Sequence, residues 1–392
     1  MIRYTSDNGE SWSGIGAGFP ENINAVNFPL IDTGIAVGDN GKIFKINKTG
    51  DSYSSQDISA QNDSVIRGKN LNDIVMIENE KIGYLVGDSG MILRTSNRGN
   101  TWFTYKNPTP IITKNLRGID FKYFTEAWVV GDSGTILKST RAKVWDIKNP
   151  PETFPKANFK ACTFVDDTGW VVGEKGAIAY TKTGGNIFSE QFPPIGFETT
   201  NFNDVFFGKA QTPSRDLSVY NGQEGYIVGD GGVILHTTNN GEEWTQLNSP
   251  TTEDLNYIYF TDSLTGWIAG ANGAAYFTPY KGLFWQKLQT GTQANIYAGH
   301  FNPPTLLITS VYSLEMRAKR KEYFFDPATG TTNFNVFVKV DTGYLLFDPQ
   351  SLFEFGLTLK SIVPGGFCII NNDSVRFGNH TKVGPGQLTQ IN

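Results

Sequence analysis

Apolar residues recur along this chain in a six-residue pattern, a hexad, with large apolar, apolar and usually Phe residues at its first, fourth and sixth places. The fourth and sixth side chains of an extended strand face the same side, so each hexad predicts a strand with an apolar stripe. The seven copies are Ile23–Phe28, Leu71–Met76, Leu116–Phe121, Phe159–Phe164, Phe202–Phe207, Leu255–Phe260 and Ile296–Phe301.

Two further elements follow most hexads. An apolar triplet before Gly-x-x-Gly comes about ten residues later, as in Tyr84–Val86 before Gly87 and Gly90, and is typical of a tight hairpin. An aromatic residue usually follows the second Gly by twelve positions, with a Gly three places before it. These aromatics are Tyr53, Trp102, Trp145 (at eleven), Phe188, Trp244 and Trp285. Each unit therefore predicts four strands, the blade of a β-propeller.

The two ends of the repeat are incomplete in complementary ways. The chain opens with the second half of a unit, whereas the last hexad is followed by Leu306–Ile308 but by no Gly-x-x-Gly. We expect residues 1–15 and about 293–314 to build one composite blade, which closes the ring without exposed edges. The predicted fold is an all-β, seven-bladed β-propeller over residues 1–314. A small β-rich C-terminal extension follows over 315–392, and six blades plus an unrelated flap is the alternative.

Composition fits a soluble β protein, with 43 Gly, 28 Phe and 16 Tyr among 392 residues. A net charge of −5 gives no reason to expect a nucleic-acid partner. No apolar run approaches the roughly 20 residues that span a bilayer. The first residues lack the apolar core and cleavage site of a signal peptide. Two distant cysteines predict no disulfide framework, and Cys162 is expected to be a buried, inert thiol.

Three units share an eight-residue turn sequence: TSDNGESW at Thr5–Trp12, TSNRGNTW at Thr95–Trp102 and TTNNGEEW at Thr237–Trp244. It resembles the Asp-box, or bacterial neuraminidase repeat, although only the first copy keeps Asp at the third place. With the preceding Gly-Asp-x-Gly run, the whole unit most resembles propellers of the photosystem II stability and assembly factor type, over residues 1 to about 314. The resemblance implies a structural role for the box residues, which are Asp7, Gly9, Trp12, Gly99, Trp102, Gly241 and Trp244.

The sequence favours binding over catalysis. Sialidases have a similar fold but need an arginine triad, a Tyr-Glu nucleophile pair and an Asp acid/base. The segment that bears their first arginine is absent, and the arginines here fall at irregular blade positions. His236, His300 and His380 have no metal-ligand spacing. We predict no catalytic residue, no cofactor and no metal.

Two sets of residues are candidates for binding. Five acidic residues occupy the same turn position in consecutive blades and predict an acidic rim, for which a structural role in the turns is favoured over a cation or basic partner: Asp39, Asp88, Asp132, Glu174 and Asp230. One blade also carries an insertion at 208–222, which is either a binding loop or a tolerated elaboration. Its candidate binding residues are Lys209, Arg215, Asp216 and Tyr220.

The segment after the ring opens with the basic run Arg317–Lys321, predicted to be a solvated hinge rather than a nucleic-acid site. Phe334–Val340 and Tyr344–Phe347 flank Asp341–Gly343 and predict a hairpin. About 75 residues are few for an independent core, so we expect the segment to dock on the propeller or on a neighbouring subunit.

Three functions are compatible with these features. The preferred hypothesis is a non-catalytic structural or adaptor propeller in a large protein assembly, best matched by a bacteriophage virion at its tail. The second is an assembly factor like the photosystem proteins that the repeat resembles. The third is a glycan-binding or sialidase-like propeller. The expected partners are other proteins, with self-association possible in such an assembly. Location in a virion is favoured, with the cytoplasm as the alternative.

Overall fold

The computed structural model divides the chain into two compact units, Met1–Phe301 and Asn302–Asn392. The described residues of the first unit are 2–6, 9, 11–15, 21–30, 32–50, 52–61, 66–77, 81–105, 111–122, 126–140, 144–151, 157–208, 223–261 and 264–300. In the second unit the described residues are 323–326, 331–334, 336–339, 367–371, 374–378 and 388–391. The predicted domain boundary after residue 314 lies outside the described residues.

The first unit contains six four-stranded antiparallel sheets among its described residues, each with its strands in chain order. The first two blades comprise β3 (Ile23–Leu30), β4 (Thr33–Gly38), β5 (Ile43–Thr49), β6 (Ser52–Asp57), then β7 (Leu71–Met76), β8 (Gly83–Gly87), β9 (Met91–Thr95) and β10 (Phe103–Thr104). The third and fourth comprise β11 (Leu116–Lys122), β12 (Glu126–Gly131), β13 (Thr135–Thr140), β14 (Val144–Lys148), then β15 (Phe159–Val165), β16 (Thr168–Gly173), β17 (Ile178–Thr181) and β18 (Ser189–Gln191). The fifth and sixth comprise β19 (Phe202–Phe207), β20 (Gly225–Gly229), β21 (Ile234–Thr237), β22 (Thr245–Gln246), then β23 (Leu255–Phe260), β24 (Gly266–Gly270), β25 (Ala275–Thr278) and β26 (Gln286–Lys287).

The first strand of each blade is innermost, because β3, β7, β11, β15, β19 and β23 contact one another in that order. Successive loops of an antiparallel sheet alternate between its two ends. One end of the ring, the turn face, therefore carries the Gly-x-x-Gly turns and the links between blades. The opposite end, the box face, carries the loops after each hexad and the box turns. Short 3-10 turns lie at Asp39–Gly41, Ser59–Gln61, Asp88–Gly90, Asp132–Gly134, Asp230–Gly232 and Ala271–Gly273.

The apolar core lies between blades. The sixth hexad residue of one blade stacks on an aromatic residue from the second strand of the preceding blade, as Phe164 does on Trp128 at a ring-centroid distance of 3.9 Å. Four such pairs are Tyr84–Phe121, Trp128–Phe164, Trp170–Phe207 and Tyr226–Phe260. The hexad and the triplet recognised in the sequence are thus the two halves of one inter-blade contact.

Every innermost strand of the six blades has a β-bulge at the second hexad residue, where the pairing skips one position. In β19, Phe202 pairs with Gly229 but Asp204 pairs with Val228, so Asn203 is the bulged residue. A bulge re-aims its side chain away from the regular alternation. The bulged asparagines consequently reach the neighbouring blade, as Asn203 does to Leu255, whereas Arg117 pairs with Asp132 of its own blade.

A hairpin of β1 (Ile2–Tyr4) and β2 (Ser13–Ile15) lies between the sixth and first blades. Trp12 packs with Leu288 of the sixth blade, and Ile15 packs with Phe44 of the first. The described residues therefore contain six four-stranded blades rather than the seven that the repeat predicts. The hairpin occupies the place expected for a composite blade. Of the residues from about 293 to 314 that were expected to complete it, 293–300 form no strand, although the hexad at 296–301 predicts one, and 301–314 lie outside the described residues.

The second unit contains three strand pairs among its described residues. They join β27 (Tyr323–Asp326) to β28 (Thr331–Phe334), β29 (Val336–Lys339) to β32 (Leu388–Ile391), and β30 (Phe367–Asn371) to β31 (Ser374–Gly378). A strand at 336–339 matches the sequence prediction and pairs with 388–391. The other half of the predicted hairpin, 344–347, lies outside the described residues.

Candidate functional site

The predicted acidic rim lies on the turn face, and its carboxylates bind the ring itself. Asp230 accepts hydrogen bonds from the side-chain amides of Asn201 at 2.8 Å and Asn203 at 2.9 Å. Asp39 accepts from Asn22 and Asn24, Asp88 from Asn72 and the backbone of Asn70, Asp132 from Arg117, and Glu174 from Asn158. Each acidic residue of the rim therefore holds the linker or bulge of its own blade.

The same asparagines join neighbouring blades. Asn201 Oδ1 accepts the backbone N–H of Lys175, in the turn of the preceding blade, at 3.2 Å. Lys175 has a positive φ of 57°, which directs its N–H toward the next blade. In the other blades, the backbone N–H at the same turn position is accepted by the side-chain oxygen of Asn70, Asn115, Asn158, Asp254 or Asn295. The turn face is thus a continuous hydrogen-bonded ladder. In these turns the third and fourth residues of Gly-Asp-x-Gly have positive φ, and the Asp does not.

The bulged asparagines extend this ladder toward the axis. Asn203 Nδ2 donates to the carbonyl of Leu255 on the next innermost strand at 2.9 Å. Asn24, Asn72 and Asn256 donate in the same way to Leu71, Leu116 and Ile296. Ile296, the first residue of the seventh hexad, therefore accepts the same hydrogen bond as the first residues of the other hexads, Leu71, Leu116 and Leu255.

Three carboxylates on the innermost strands were not singled out by the sequence. Asp204 Oδ2 accepts the N–H of Ile258 at 3.0 Å, and Asp73 Oδ2 accepts that of Ile119 at 2.8 Å. Asp120 bridges to Phe164 at 2.7 Å. Burial raises the pKa of both Asp73 and Asp204 to about 7, against the opposing effect of two backbone hydrogen bonds each. In the sequence, the only sign of these contacts was an Asp at the third or fifth place of a hexad, a place whose side chain points toward the axis of the ring.

The box turns show how the predicted structural residues act. Thr237 Oγ1 accepts the N–H of Gly241 at 2.9 Å and donates to Asn239 Oδ1, and Trp244 is buried between blades. In the second blade, Trp102 Nε1 donates to the carbonyl of Gly99 at 3.1 Å. Trp12 and Gly9 make the equivalent bond at 3.1 Å in the N-terminal hairpin, whereas Asp7 lies outside the described residues. The box glycines all have positive φ and pack on the preceding blade.

A half-buried polar cluster lies on the box face between the fifth and sixth blades. Glu224 accepts from His236 Nε2 at 3.0 Å and from Lys281 Nζ at 2.9 Å. Burial raises the pKa of Glu224, but the hydrogen bonds from His236 and Lys281 and the charge of Lys281 lower it by more, so the net shift is downward. His236 is half-buried and packs on Tyr226 with ring centroids 4.6 Å apart. The ring is held in this position by its hydrogen bond to the half-buried carboxylate of Glu224.

The insertion ends two residues before Glu224. Its candidate binding residues Lys209, Arg215, Asp216 and Tyr220 lie outside the described residues. Cys162, predicted to be a buried thiol, is half-buried, and its Sγ lies 4.0 Å from the carbonyl oxygen of Trp128. Within the described ranges, no group of three or more His, Cys, Asp or Glu is placed to hold a metal ion. No helix among the described residues is long and apolar enough to cross a membrane.

Sequence comparison relates the chain to one class of propeller. The family described as photosynthesis system II assembly factor YCF48 matches residues 209–294. The chain is 29% identical over 123 residues to the chloroplast photosystem II stability/assembly factor HCF136 of Oryza sativa subsp. japonica, covering 30% of this chain and 26% of that protein. It is 22% identical over 205 residues to the Guillardia theta protein of the same description, covering 48% and 51%. The matches thus span from about a quarter to about half of these relatives' length.

Solved structures show the same architecture. A structure described as YCF48 bound to D1 peptide has a TM-score of 0.55 at 17% identity, covering 72% of this chain and 86% of that one. YCF48 from Cyanidioschyzon merolae also has a TM-score of 0.55, at 13% identity, covering 71% and 90%. The chain is a β-propeller, and part of its sequence is similar to photosystem II assembly factors. The WD40 propeller domain of Doa1, with a TM-score of 0.54 at 9% identity over 72% of this chain and 86% of that one, shares only the fold.

Proposed function

We propose that this chain is a non-catalytic assembly factor, a propeller that binds a segment of a partner protein before that partner enters a larger complex. The observation that carries the proposal is the joint similarity, in sequence and in fold, to stability and assembly factors. One of the similar structures is described as bound to a peptide, which supports a peptide segment as the bound species.

The geometry supports a binding role. The carboxylates and amides of the turn face donate and accept within the ring, as Asp230, Asn201 and Asn203 do. The inner carboxylates of Asp73 and Asp204 each accept two backbone N–H groups, which braces neighbouring blades. A ring braced in this way presents its exposed side chains at fixed positions, which lowers the entropy cost of binding.

Seven blades remain part of the proposal. The ladder continues past the sixth blade, where Asn295 accepts from Asn272 and Ile296 accepts from Asn256. The N-terminal hairpin packs on both the sixth and first blades. We propose that the hexad at 296–301 and the apolar residues after it complete this hairpin as a composite seventh blade. The box turns are likewise proposed to be degenerate Asp-boxes.

The comparisons favour this hypothesis over the virion component that the sequence analysis preferred. The relatives reported above are assembly factors of chloroplast photosystems, which matches the second hypothesis. Nothing in the described site favours the glycan hypothesis, whose candidate loop lies outside the described residues.

The test is to recover the full chain, carrying an affinity tag, from its native source after pulse labelling, and to fractionate its complexes by size. We expect the chain in partial assemblies shortly after the pulse, at less than one copy per partner, and not in the finished complex after the chase. A chain present at fixed stoichiometry in a finished particle would make it a structural component. A chain recovered without any partner at all times would refute the proposal.

A further inference from the structure

The box turn of the sixth blade exposes three large apolar side chains. Tyr280, Leu283 and Phe284 are 55%, 72% and 51% exposed, and the rings of Tyr280 and Phe284 lie 5.5 Å apart. We call these three residues the blade-six patch. Single exposed apolar residues are normal, but a contiguous group marks a binding surface.

The fold does not require apolar residues at these places. The corresponding residues of the second blade are Asn97, Asn100 and Thr101, which are polar. The backbone of the two turns is nevertheless the same, since Gly282 donates to Thr278 Oγ1 at 3.0 Å as Gly99 does to Thr95 Oγ1 at 3.0 Å. Polar residues at these places would add hydrogen bonds, since in the second blade the side chain of Asn97 accepts the backbone N–H of Thr101.

The charges around the blade-six patch are acidic. The neighbouring box, on the fifth blade, places Glu242 and Glu243 at the positions equivalent to Leu283 and Phe284, and both are exposed. The nearest cation of the sixth box, Lys281, is bound to Glu224 of the fifth blade at 2.9 Å, so its charge is compensated. Of the two carboxylates on the fifth-blade side, Glu242 lies 3.8 Å from Lys182 Nζ of the fourth blade, so the negative charge that a partner covering the patch meets is chiefly that of Glu243.

We propose that the blade-six patch binds a segment of a partner protein that carries apolar side chains next to a basic residue. The apolar side chains cover Tyr280, Leu283 and Phe284, and the basic residue lies toward Glu242 and Glu243. This inference rests on the proposed function and names the surface and the kind of segment bound. Buried aromatic and aliphatic anchors supply most of the affinity at such surfaces, and the carboxylates supply selectivity.

The experiment uses the full chain and two fluorescent synthetic peptides, one with Leu, Phe and Arg and one with Glu in place of Arg. Binding is measured by fluorescence anisotropy. The test variant is Tyr280→Asn/Leu283→Asn/Phe284→Thr, which gives the sixth box the polar residues of the second. The matched control is Ile187→Thr, an exposed apolar residue at the place equivalent to Phe284 but two blades away. Circular dichroism and thermal unfolding check that each variant is folded.

We expect the wild type to prefer the Arg peptide and the triple variant to bind it at least about tenfold more weakly, as expected for loss of hot-spot residues. Ile187→Thr should bind like the wild type. Glu242→Gln/Glu243→Gln should remove the preference for Arg over Glu. Equal binding by the triple variant, or equal binding of the two peptides by the wild type, would overturn the proposal.

Two readouts separate this inference from the proposed function. If the triple variant recovers the native partner as well as the wild type does, the patch is not the binding surface although the assembly role stands. If the wild type recovers no partner, the assembly role itself fails. A photo-crosslinker at position 283 should label the Arg peptide. Crosslinks to a second copy, or to another segment of the same chain, would assign a different occupant and overturn the proposal.

Discussion

The carboxylate of Asp204, on the innermost strand of the fifth blade, accepts the backbone N–H of Ile258 on the innermost strand of the sixth at 3.0 Å. Its second oxygen accepts the N–H of Val205 at 2.8 Å. Asp73 makes the equivalent bonds to Ile119 and Ile74 at 2.8 Å each. Two carboxylates thus join neighbouring blades near the axis, where Asp73 raises the pKa of Asp204 by like-charge repulsion in addition to burial.

The first prediction concerns the pH dependence of the free energy of unfolding. The pKa of both Asp73 and Asp204 is about 7 in the folded chain, against 3.8 as the ordinary value. Between these values the folded state binds more protons than the unfolded state, so stability falls as pH rises from about 4 to about 7. We expect a loss on the order of a few kcal/mol in total, measured by urea unfolding at several pH values.

The control for this prediction is Asp73→Asn/Asp204→Asn. Asparagine keeps one acceptor but turns an amide group toward the second N–H, so the variant is destabilised at low pH. Its stability should change much less between pH 5 and 7 than that of the wild type. Stability that rises with pH in the wild type, or an unchanged slope in the variant, would contradict the assignment to these two carboxylates.

The second prediction concerns the turn-face ladder. Asn201 donates to Asp230 and accepts from Lys175. In the sixth blade the same two places hold Asp254 and Ala271, and Asp254 still accepts from the preceding turn. Asn201→Asp alone should destabilise the chain by about 1–3 kcal/mol, because it sets two carboxylates against each other. Adding Asp230→Ala, which reproduces the sixth-blade pair, should recover part of the loss.

The measurement is a double-mutant cycle in urea, with Asp230→Ala as the other single variant. A favourable coupling between the two substitutions supports the ladder as described. Additive effects would mean that Asn201 and Asp230 act independently.

The sequence predicted most of the architecture because the inter-blade contacts are made by repeated residues. Hexad Phe residues such as Phe164 and triplet aromatics such as Trp128 recur at fixed spacing, so each blade could be delimited before the structure was known. The bulge at Asn203 could not be predicted, since a bulge leaves no periodic signal of its own. The axial role of Asp204 was missed for the same reason.

The candidate site was less predictable. The acidic turn residues were recognised, but their partners lie in linkers and on bulges, as Asn201 and Asn203 do for Asp230. The blade-six patch was missed because its residues replace the polar places of a degenerate box, and a degraded repeat resembles noise in a single sequence. Only the preserved turn around Gly282 shows that the fold tolerates these places being polar or apolar.

The third prediction tests how the N-terminal hairpin is held. Leu288 of the sixth blade is buried and packs beside Trp12, and a Cβ at Gly9 would lie 3.0 Å from its side chain. Leu288→Ala should cost about 2–4 kcal/mol and should accelerate amide hydrogen exchange in Ile2–Tyr4 more than in other strands. Leu283→Ala, at an exposed position of the same blade, is the control and should change neither quantity. Uniform acceleration of exchange over all blades would mean that the hairpin does not unfold separately.

The fourth prediction concerns the polar cluster between the fifth and sixth blades. Glu224 is half-buried and its pKa is lowered, since hydrogen bonds from His236 and Lys281 outweigh the effect of burial. A lowered pKa contributes stability that is present above the ordinary value and is lost as pH falls through the folded value. Glu224→Gln should therefore destabilise the chain by about 1–2 kcal/mol at pH 7, because it removes the half-buried carboxylate that pairs with Lys281 and accepts a hydrogen bond from His236.

The same substitution should cost less as the pH falls below the ordinary value for Glu and through the lowered pKa of Glu224, where the carboxyl of the wild type becomes protonated as well. The matched control is Glu243→Gln, an exposed carboxylate in the box of the fifth blade, which should change stability by no more than about 0.5 kcal/mol. A double-mutant cycle with Lys281→Met at pH 7 isolates the pair at 2.9 Å. A coupling energy near zero would show that His236, and not Lys281, holds the carboxylate. A cost that stays constant as the pH falls through both the ordinary value and the lowered pKa of Glu224 would show that the charge of Glu224 is not what stabilises this junction between blades.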